Sequence, residues 1–173
     1  MSPTNQGRYR YTDTEIKSIL KTVIVLTDTR EQKNDHILTG LDNLKIAHKP
    51  MALSCGDYSA MLPANPDMGI PRDIFFDNDI IIERKANLSE LAGNFGKHRE
   101  RFKDEMIRSG TAKKYLLIEQ GGGYAAILNG QYHTQLSAKS FLEQDAKLIR
   151  CICIQLFECM CIYCHSCGYV SVA

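Results

Sequence analysis

Three stretches place charge directly behind an apolar run, and each could do chemistry. In Asp79-Ile80-Ile81-Ile82-Glu83-Arg84-Lys85, three β-branched residues predict a strand buried on both faces. That strand ends in an acid, a guanidinium and an amine. Side chains alternate across a strand, so Glu83 and Lys85 share one face and Arg84 takes the other. At about 3.3 Å per residue, Glu83 and Lys85 are roughly 7 Å apart along the backbone, and their tips can converge. Buried there, they need a metal, an anion or each other. Taken alone, Glu-x-Lys reads as a salt-bridged strand end.

Ser54-Cys55-Gly56-Asp57-Tyr58 supplies a second carboxylate, and Val23-Ile24-Val25-Leu26 runs into a third at Asp28. An Asp followed at a distance by Glu-x-Lys is the pattern of metal-dependent phosphodiesterases of the PD-(D/E)XK type. The chemical need is plain. Magnesium or manganese takes oxygen ligands and keeps several waters. Two carboxylates hold the ion, while a lysine orients or activates the attacking water.

Positioning these groups requires a sheet. Thr12-Asp13-Thr14-Glu15 is a capping box, and Ile16, Ile19 and Leu20 follow at helical spacing, which predicts a helix over 13–21. Residues 23–26 then form a central strand. A helix over 35–44 follows, with a strand over 47–53 that leads into Gly56-Asp57 and continues through 58–62. Residues 63–71, with three prolines, form a loop. Asp77-Asn78-Asp79 reads as a hairpin turn between 74–76 and 80–82. Asn87 caps a helix that Gly93 and Gly96 divide into two pieces, the longer ending near Gly110. A strand over 115–119 follows the second piece. Gly121–Gly123 is a connector without phosphate-loop spacing. A helical turn over 124–128, a helix from Ser137 to about Arg150 and a strand over 152–157 complete the order. The pattern predicts an α/β fold, a three-layer sandwich with a central mixed β-sheet. Ligands in such sheets gather at strand ends, where Asp28, Asp57 and Glu83 stand.

Composition sets bounds. The chain has 173 residues, 44% hydrophobic and 24% charged, with a net charge of +1. It fits one domain, and no global field draws it to nucleic acid. No apolar stretch reaches membrane-span length and no secretory signal opens the chain, which points to the cytoplasm. Of seven cysteines, six crowd between Cys151 and Cys167. A disulfide framework would be spread out, so all are read as thiols. Cys161-x-x-Cys164-x-x-Cys167 has ligand-like local spacing but lacks the separated second pair of a zinc finger, and an altered terminus is the preferred reading.

Gly56-Asp57 followed by Glu83-Arg84-Lys85 resembles the GD…ERK signature of the XPF-type structure-specific endonucleases, the ERCC-family nuclease domain. Asp28-Thr29-Arg30-Glu31 resembles the D-x-R-E segment that precedes it, and Tyr115-Leu116-Leu117-Ile118-Glu119 the strand after the long helix. Ala60–Pro66, Leu91-Ala92-Gly93-Asn94-Phe95 and Arg99-Glu100-Arg101-Phe102 resemble small bacterial and phage members. The likeness spans residues 11–142. It implies a restriction-endonuclease-like fold in which Asp57 and Glu83 bind Mg2+ or Mn2+, with the Arg84 carbonyl as a further ligand and Asp28 completing the metal-binding acids, on the ion directly or through water. Lys85 positions the water, and Arg30, Glu31 and Arg84 organise the site or meet the phosphate. The catalytic set is then Asp28, Asp57, Glu83, Arg84 and Lys85. Two features depart from the family. Ser89 stands where an aspartate is usual, with Glu90 next to it and better read as part of the helix cap. From about Glu143 the likeness fades. The implied organisation is a helical lead-in over 1–22, a nuclease domain over 23–158 and a divergent cysteine-rich tail over 159–173.

For DNA the candidates are Arg30, Lys97, Arg99 and Arg101, within a segment from Lys97 to Lys114 holding seven basic against three acidic residues. The same segment also reads as a solvated helix face. Asp28 could merely cap a turn, Glu31 could pair with Arg30 or Lys33, and His98 and His133 read as surface residues. The function expected is hydrolysis of phosphodiester bonds in branched or flapped DNA, in repair, recombination or phage replication. Branch specificity is expected to be weak or supplied by a partner, an accessory DNA-binding protein or a second copy in a homodimer, since the family commonly dimerises. A resolvase or restriction-like nuclease, and a catalytically silent DNA-binding or scaffold module, are the alternatives.

Overall fold

The computed structural model describes residues 11–96, 98–120, 123–133, 137–140, 151–156, 159–164 and 168–171, the last three segments as main chain. Among these, one mixed sheet runs through the molecule. Its strands are β1 (Ile24–Asp28), β2 (His48–Met51), β3 (Tyr58–Leu62), β4 (Ile74–Phe75), β5 (Ile80–Lys85), β6 (Lys113–Glu119), β7 (Cys151–Leu156), β8 (Cys159–Cys164) and β9 (Gly168–Ser171). The spatial order is β2-β1-β3-β5-β6-β7-β8-β9, with β4 on β3. The helices are α1 (Asp13–Leu20), α2 (Asp35–Asn43), α3 (Leu88–Phe95), α4 (Arg99–Arg108) and α5 (Gly123–Leu128). The fold is the expected α/β three-layer sandwich of restriction-endonuclease-like type.

Local signals act as read. Thr12 and Glu15 form a complete capping box at the start of α1. The Asn87 side chain accepts the Glu90 N–H at the start of α3, and Gly96 closes that helix. The Ser137 hydroxyl accepts the Ser140 N–H; the rest of the helix expected from Ser137 lies outside the described residues.

Two expectations about pairing are overturned. Residues 47–62 do not form one continuing strand. Strand β2 lies parallel to β1 on one side and β3 antiparallel to it on the other, so residues 52–57 cross the end of β1. Nor is there a hairpin at Asp77-Asn78-Asp79. Strands β4 and β5 both pair antiparallel with β3, in one line, and residues 76–79 are an excursion between them. The Phe76 carbonyl accepts the N–H groups of Asp79 and Ile80, which turns the chain back into the same row.

Strand β5 also differs from its expected burial. Ile81, Glu83 and Lys85 are buried, while Ile80, Ile82 and Arg84 are less completely covered. The buried face of β5 and β6 is covered by α3, α4 and α5. Leu88, Leu91, Ala92, Phe95, Phe102, Leu116, Ile118, Ala126 and Ile127 form the main core there. Phe95 and Phe102 meet edge to face at 5.9 Å and lock α3 to α4. Strand β6 lies parallel to β5 with Glu83 opposite Leu116 and Lys85 opposite Ile118. The acid and the amine therefore sit at the rim of an apolar layer.

Candidate active site

The order β1-β3-β5 brings the three charged strand ends to one edge. Asp57 stands just before β3, between the ends of its two neighbours. Its carbonyl accepts the Asp28 N–H at 2.8 Å, and its N–H donates to the Ile82 carbonyl at 2.9 Å. Gly56 makes this approach possible. Its φ is +76°, and a Cβ there would stand 2.4 Å from Ile81 Cγ2. Asp28, Arg30, Asp57, Glu83 and Lys85 line one cleft of about 360 Å3 with Glu90, Asn94, His98, Arg101, Phe102 and Glu105 of the α3–α4 wall.

Glu83 and Lys85 share a face, as alternation requires, and Lys85 Nζ lies 2.6 Å from Glu83 Oε1. The salt bridge of the plainer reading is thus present. It satisfies only half of the carboxylate, because Glu83 Oε2 is buried without a hydrogen-bond partner. Asp57 Oδ2 accepts the Arg84 main-chain N–H at 2.7 Å. Burial pushes Asp57 up to about 6, against the pull of that N–H and of Lys85. Burial, together with the Asp57 charge, pushes Glu83 up to about 7 despite Lys85. Burial alone would lower Lys85, but Glu83, Glu90 and Asp57 outweigh it and hold the amine above its ordinary value. Two carboxylates thus sit where their charges cost free energy until a cation meets them.

Asp28 is the acid that the resemblance places on the ion directly or through water. It is buried, and both oxygens are committed. Oδ1 accepts the Arg30 N–H and Nε–H at 2.7 and 2.8 Å, while Oδ2 accepts Arg30 Nη2–H at 2.6 Å and the Leu53 N–H at 3.1 Å. The Arg30 hydrogen bonds, outweighing burial, hold Asp28 below the usual carboxylate range. It anchors Arg30, whose side chain is 70% exposed at the cleft. The Arg84 guanidinium is on the opposite face of the sheet, bonded to Glu119 and 3.5 Å from Glu31. Only its main chain serves Asp57. Glu31 pairs with Arg84, not with the side chain of Arg30 or Lys33.

Glu90 does two things. Its Oε2 accepts the Ala86 N–H at 2.9 Å, consistent with a role at the helix start, and its Oε1 lies 3.9 Å from Lys85 Nζ. Arg101 faces the cleft, Arg99 is exposed outside its lining, and Lys97 lies outside the described residues. Glu105, Asn94 and His98 escaped the sequence reading as cleft residues. For His98 and Glu105 the signal was helical phase: His98, Arg101, Phe102 and Glu105 fall at i, i+3, i+4 and i+7 of one face. The cysteine side chains of the tail lie outside the described residues.

Among the described residues, no three side chains of His, Cys, Asp or Glu gather into a ready metal cage. A hard divalent ion does not need one. It is held by one or two carboxylates and completes its shell with water. The paired acids Asp57 and Glu83, one with an orphaned buried oxygen, fit that donor set.

A mixed sheet of this topology, with acids and an amine gathered at one end against two helices, defines a restriction-endonuclease-like nuclease domain. The family model for the ERCC4 domain matches residues 27–158, and the chain belongs to that family, the XPF-type nuclease domains that act on DNA. No curated protein matches the chain. Among the described residues no helix is long and apolar enough to cross a membrane.

Proposed function

We propose that this chain is a Mg2+- or Mn2+-dependent endonuclease that hydrolyses phosphodiester bonds in branched or flapped DNA. The observation that carries the reading is the half-satisfied Glu83 carboxylate, which shares one cleft with Asp57 and touches the Lys85 amine. Asp57 and Glu83 would hold the ion. When bound, it supplies Lewis acidity at the scissile phosphate and favours ionisation of water there.

The remaining roles belong to the protein. Lys85, held protonated by its acidic neighbours, donates hydrogen bonds that orient the attacking water; it does not remove the proton itself. Arg30, fixed by Asp28 in fork geometry, offers its exposed guanidinium edge to the phosphate. Arg101 and Arg99 extend the positive surface along α4, with Lys97 preceding them in sequence. Asp28 completes the acidic group by fixing Arg30. Branch selectivity would come from a second copy or an accessory DNA-binding protein.

The test is cleavage of an end-labelled flap and of the matching linear duplex in MgCl2. Asp57→Ala and Lys85→Ala should each cut at least about 100-fold more slowly, the scale of losing one activating group, while anisotropy shows DNA binding retained. Normal cutting by Lys85→Ala would remove the amine from the mechanism. Equal cutting of flap and duplex would remove branch selectivity. Binding without cleavage at any Mg2+ or Mn2+ concentration would make the chain a silent binding module.

A further inference from the structure

Behind the cleft, on the opposite face of the sheet, lies a set of charges that the reaction does not touch. The Arg84 guanidinium donates through Nη2 to Glu119 Oε2 at the end of β6. Its Nη1 lies 3.5 Å from Glu31 Oε1, in the segment that follows β1. His36, in the first turn of α2, is 2.5 Å from the other Glu119 oxygen. The three central side chains are largely shielded, at 10% exposure for Arg84, 15% for Glu31 and 19% for Glu119. Four elements are therefore tied at one point: the end of β1, α2, β5 and β6.

The same residue works on both faces. While its side chain is gripped behind the sheet, the Arg84 main-chain N–H donates to Asp57 Oδ2 in front of it, at 2.7 Å. Strand β5 pairs with β3 at only one register position, Tyr58 opposite Ile82, before the two diverge around Asp57. Past that point few sheet hydrogen bonds to β3 fix the peptide that carries this N–H. Its orientation depends on β6 on one side and on whatever holds the Arg84 side chain.

We propose that Glu119, supported by His36 and with Glu31 as second acceptor, is a positioning residue: it clamps the Arg84 guanidinium and so aims the Arg84 N–H at the Asp57 carboxylate. The inference rests on the reading of Asp57 as an ion-holding acid, and it assigns a task to the strand-end acid that follows Leu116-Leu117-Ile118. Partners that orient a metal-holding carboxylate change metal affinity or activity by about 10- to 100-fold when removed.

Glu119→Gln keeps the shape and one acceptor and drops the charge, and Glu119→Ala removes both. Amide exchange of the metal-free protein, Mn2+ binding followed by the loss of free-ion EPR signal, and steady-state cleavage are measured on wild type and both variants. In Glu119→Gln the Arg84 amide should exchange at least about tenfold faster, with Leu116 and Ile118 amides unchanged. Mn2+ should bind about tenfold more weakly, and kcat should fall while KM for DNA stays constant. Glu119→Ala should exaggerate each effect. An unchanged Arg84 amide with unchanged Mn2+ affinity overturns the proposal. So does uniform acceleration of all β5 and β6 amides, which marks lost stability alone. Wild-type protein that takes up no Mn2+ would defeat the metal reading instead, and the Arg84 amide would still decide the clamp.

Discussion

Asp57 and Glu83 bring a conflict to the residue scale, because the groups that suit a cation are also the ones the fold would keep neutral. Their folded pKa values, about 6 and about 7, lie above those of an unfolded chain. Below about pH 4 both states are protonated and nothing is lost. As pH rises toward 7 the unfolded chain releases its protons first, so stability falls across that window and the loss is complete above the folded values. Asp28 and Glu119 are lowered instead, and their contribution is lost only at more acidic pH. The expected outcome is a Tm in EDTA that declines from pH 5 to pH 8, with a gain on adding MgCl2 that is larger at pH 8 than at pH 5. Asp57→Asn keeps an acceptor for the Arg84 N–H and removes the charge. It should therefore raise the Tm in EDTA, abolish the Mg2+ gain and abolish cutting. A lower Tm for that variant would show that the Asp57 charge stabilises the fold.

At the scale of elements, the site depends on one close approach. Residues 52–57 must cross the end of β1 and bring Gly56 against the Ile81 side chain, which only a residue without a Cβ can do with left-handed backbone. Gly56→Ala should cost about 1–2 kcal/mol for the backbone conformation alone, and the overlap with Ile81 adds to it. Denaturant unfolding measures the sum, and Mg2+ binding should weaken with it because Asp57 is the next residue. An unchanged midpoint would mean that the segment finds another path. The same elements show the limits of reading local pattern. Asp77-Asn78-Asp79 has the composition of a hairpin turn, yet β3 is paired with the strands on both sides of it. A turn sequence states that the chain bends; which neighbour then satisfies the backbone is settled by the open edge of β3. The alternation in β5 was legible, because a period of two leaves no other arrangement for Glu83 and Lys85. That Arg84 would find Glu119 and Glu31, with His36 on Glu119, was not, since those residues come from three other elements.

At the scale of the whole molecule, a net charge of +1 leaves DNA binding to a local surface. Arg99, Arg101, Lys103 and Arg108 are exposed on α4, beside the cleft that Arg30 also reaches. With about four phosphate contacts the Kd should rise about 100-fold between 50 and 200 mM salt. Arg99→Ala/Arg101→Ala should reduce the slope of log Kd against log salt by about 2 and weaken flap and duplex alike. A slope unchanged in the double variant would move the DNA to another face. The sheet continues past β7 into β8 and β9, so the described residues of the cysteine-rich end, 159–164 and 168–171, are laid down as further antiparallel strands.

The sequence by itself determined most of the elements, though not the break between β2 and β3 or strands β8 and β9, together with the alternation that joins an acid to an amine on β5 and the three acids that follow or precede strands. Those are properties of short windows, set by side-chain period, capping and burial preference. Only the tertiary structure decided that Asp57 lies between Asp28 and Glu83, that Asp28 is committed to Arg30, that the Arg84 side chain meets Glu119 and Glu31, and that α4 closes the cleft with Glu105 and His98. Each of these depends on strand order and on which face a helix covers, and both are chosen by the joint burial of residues far apart in the chain.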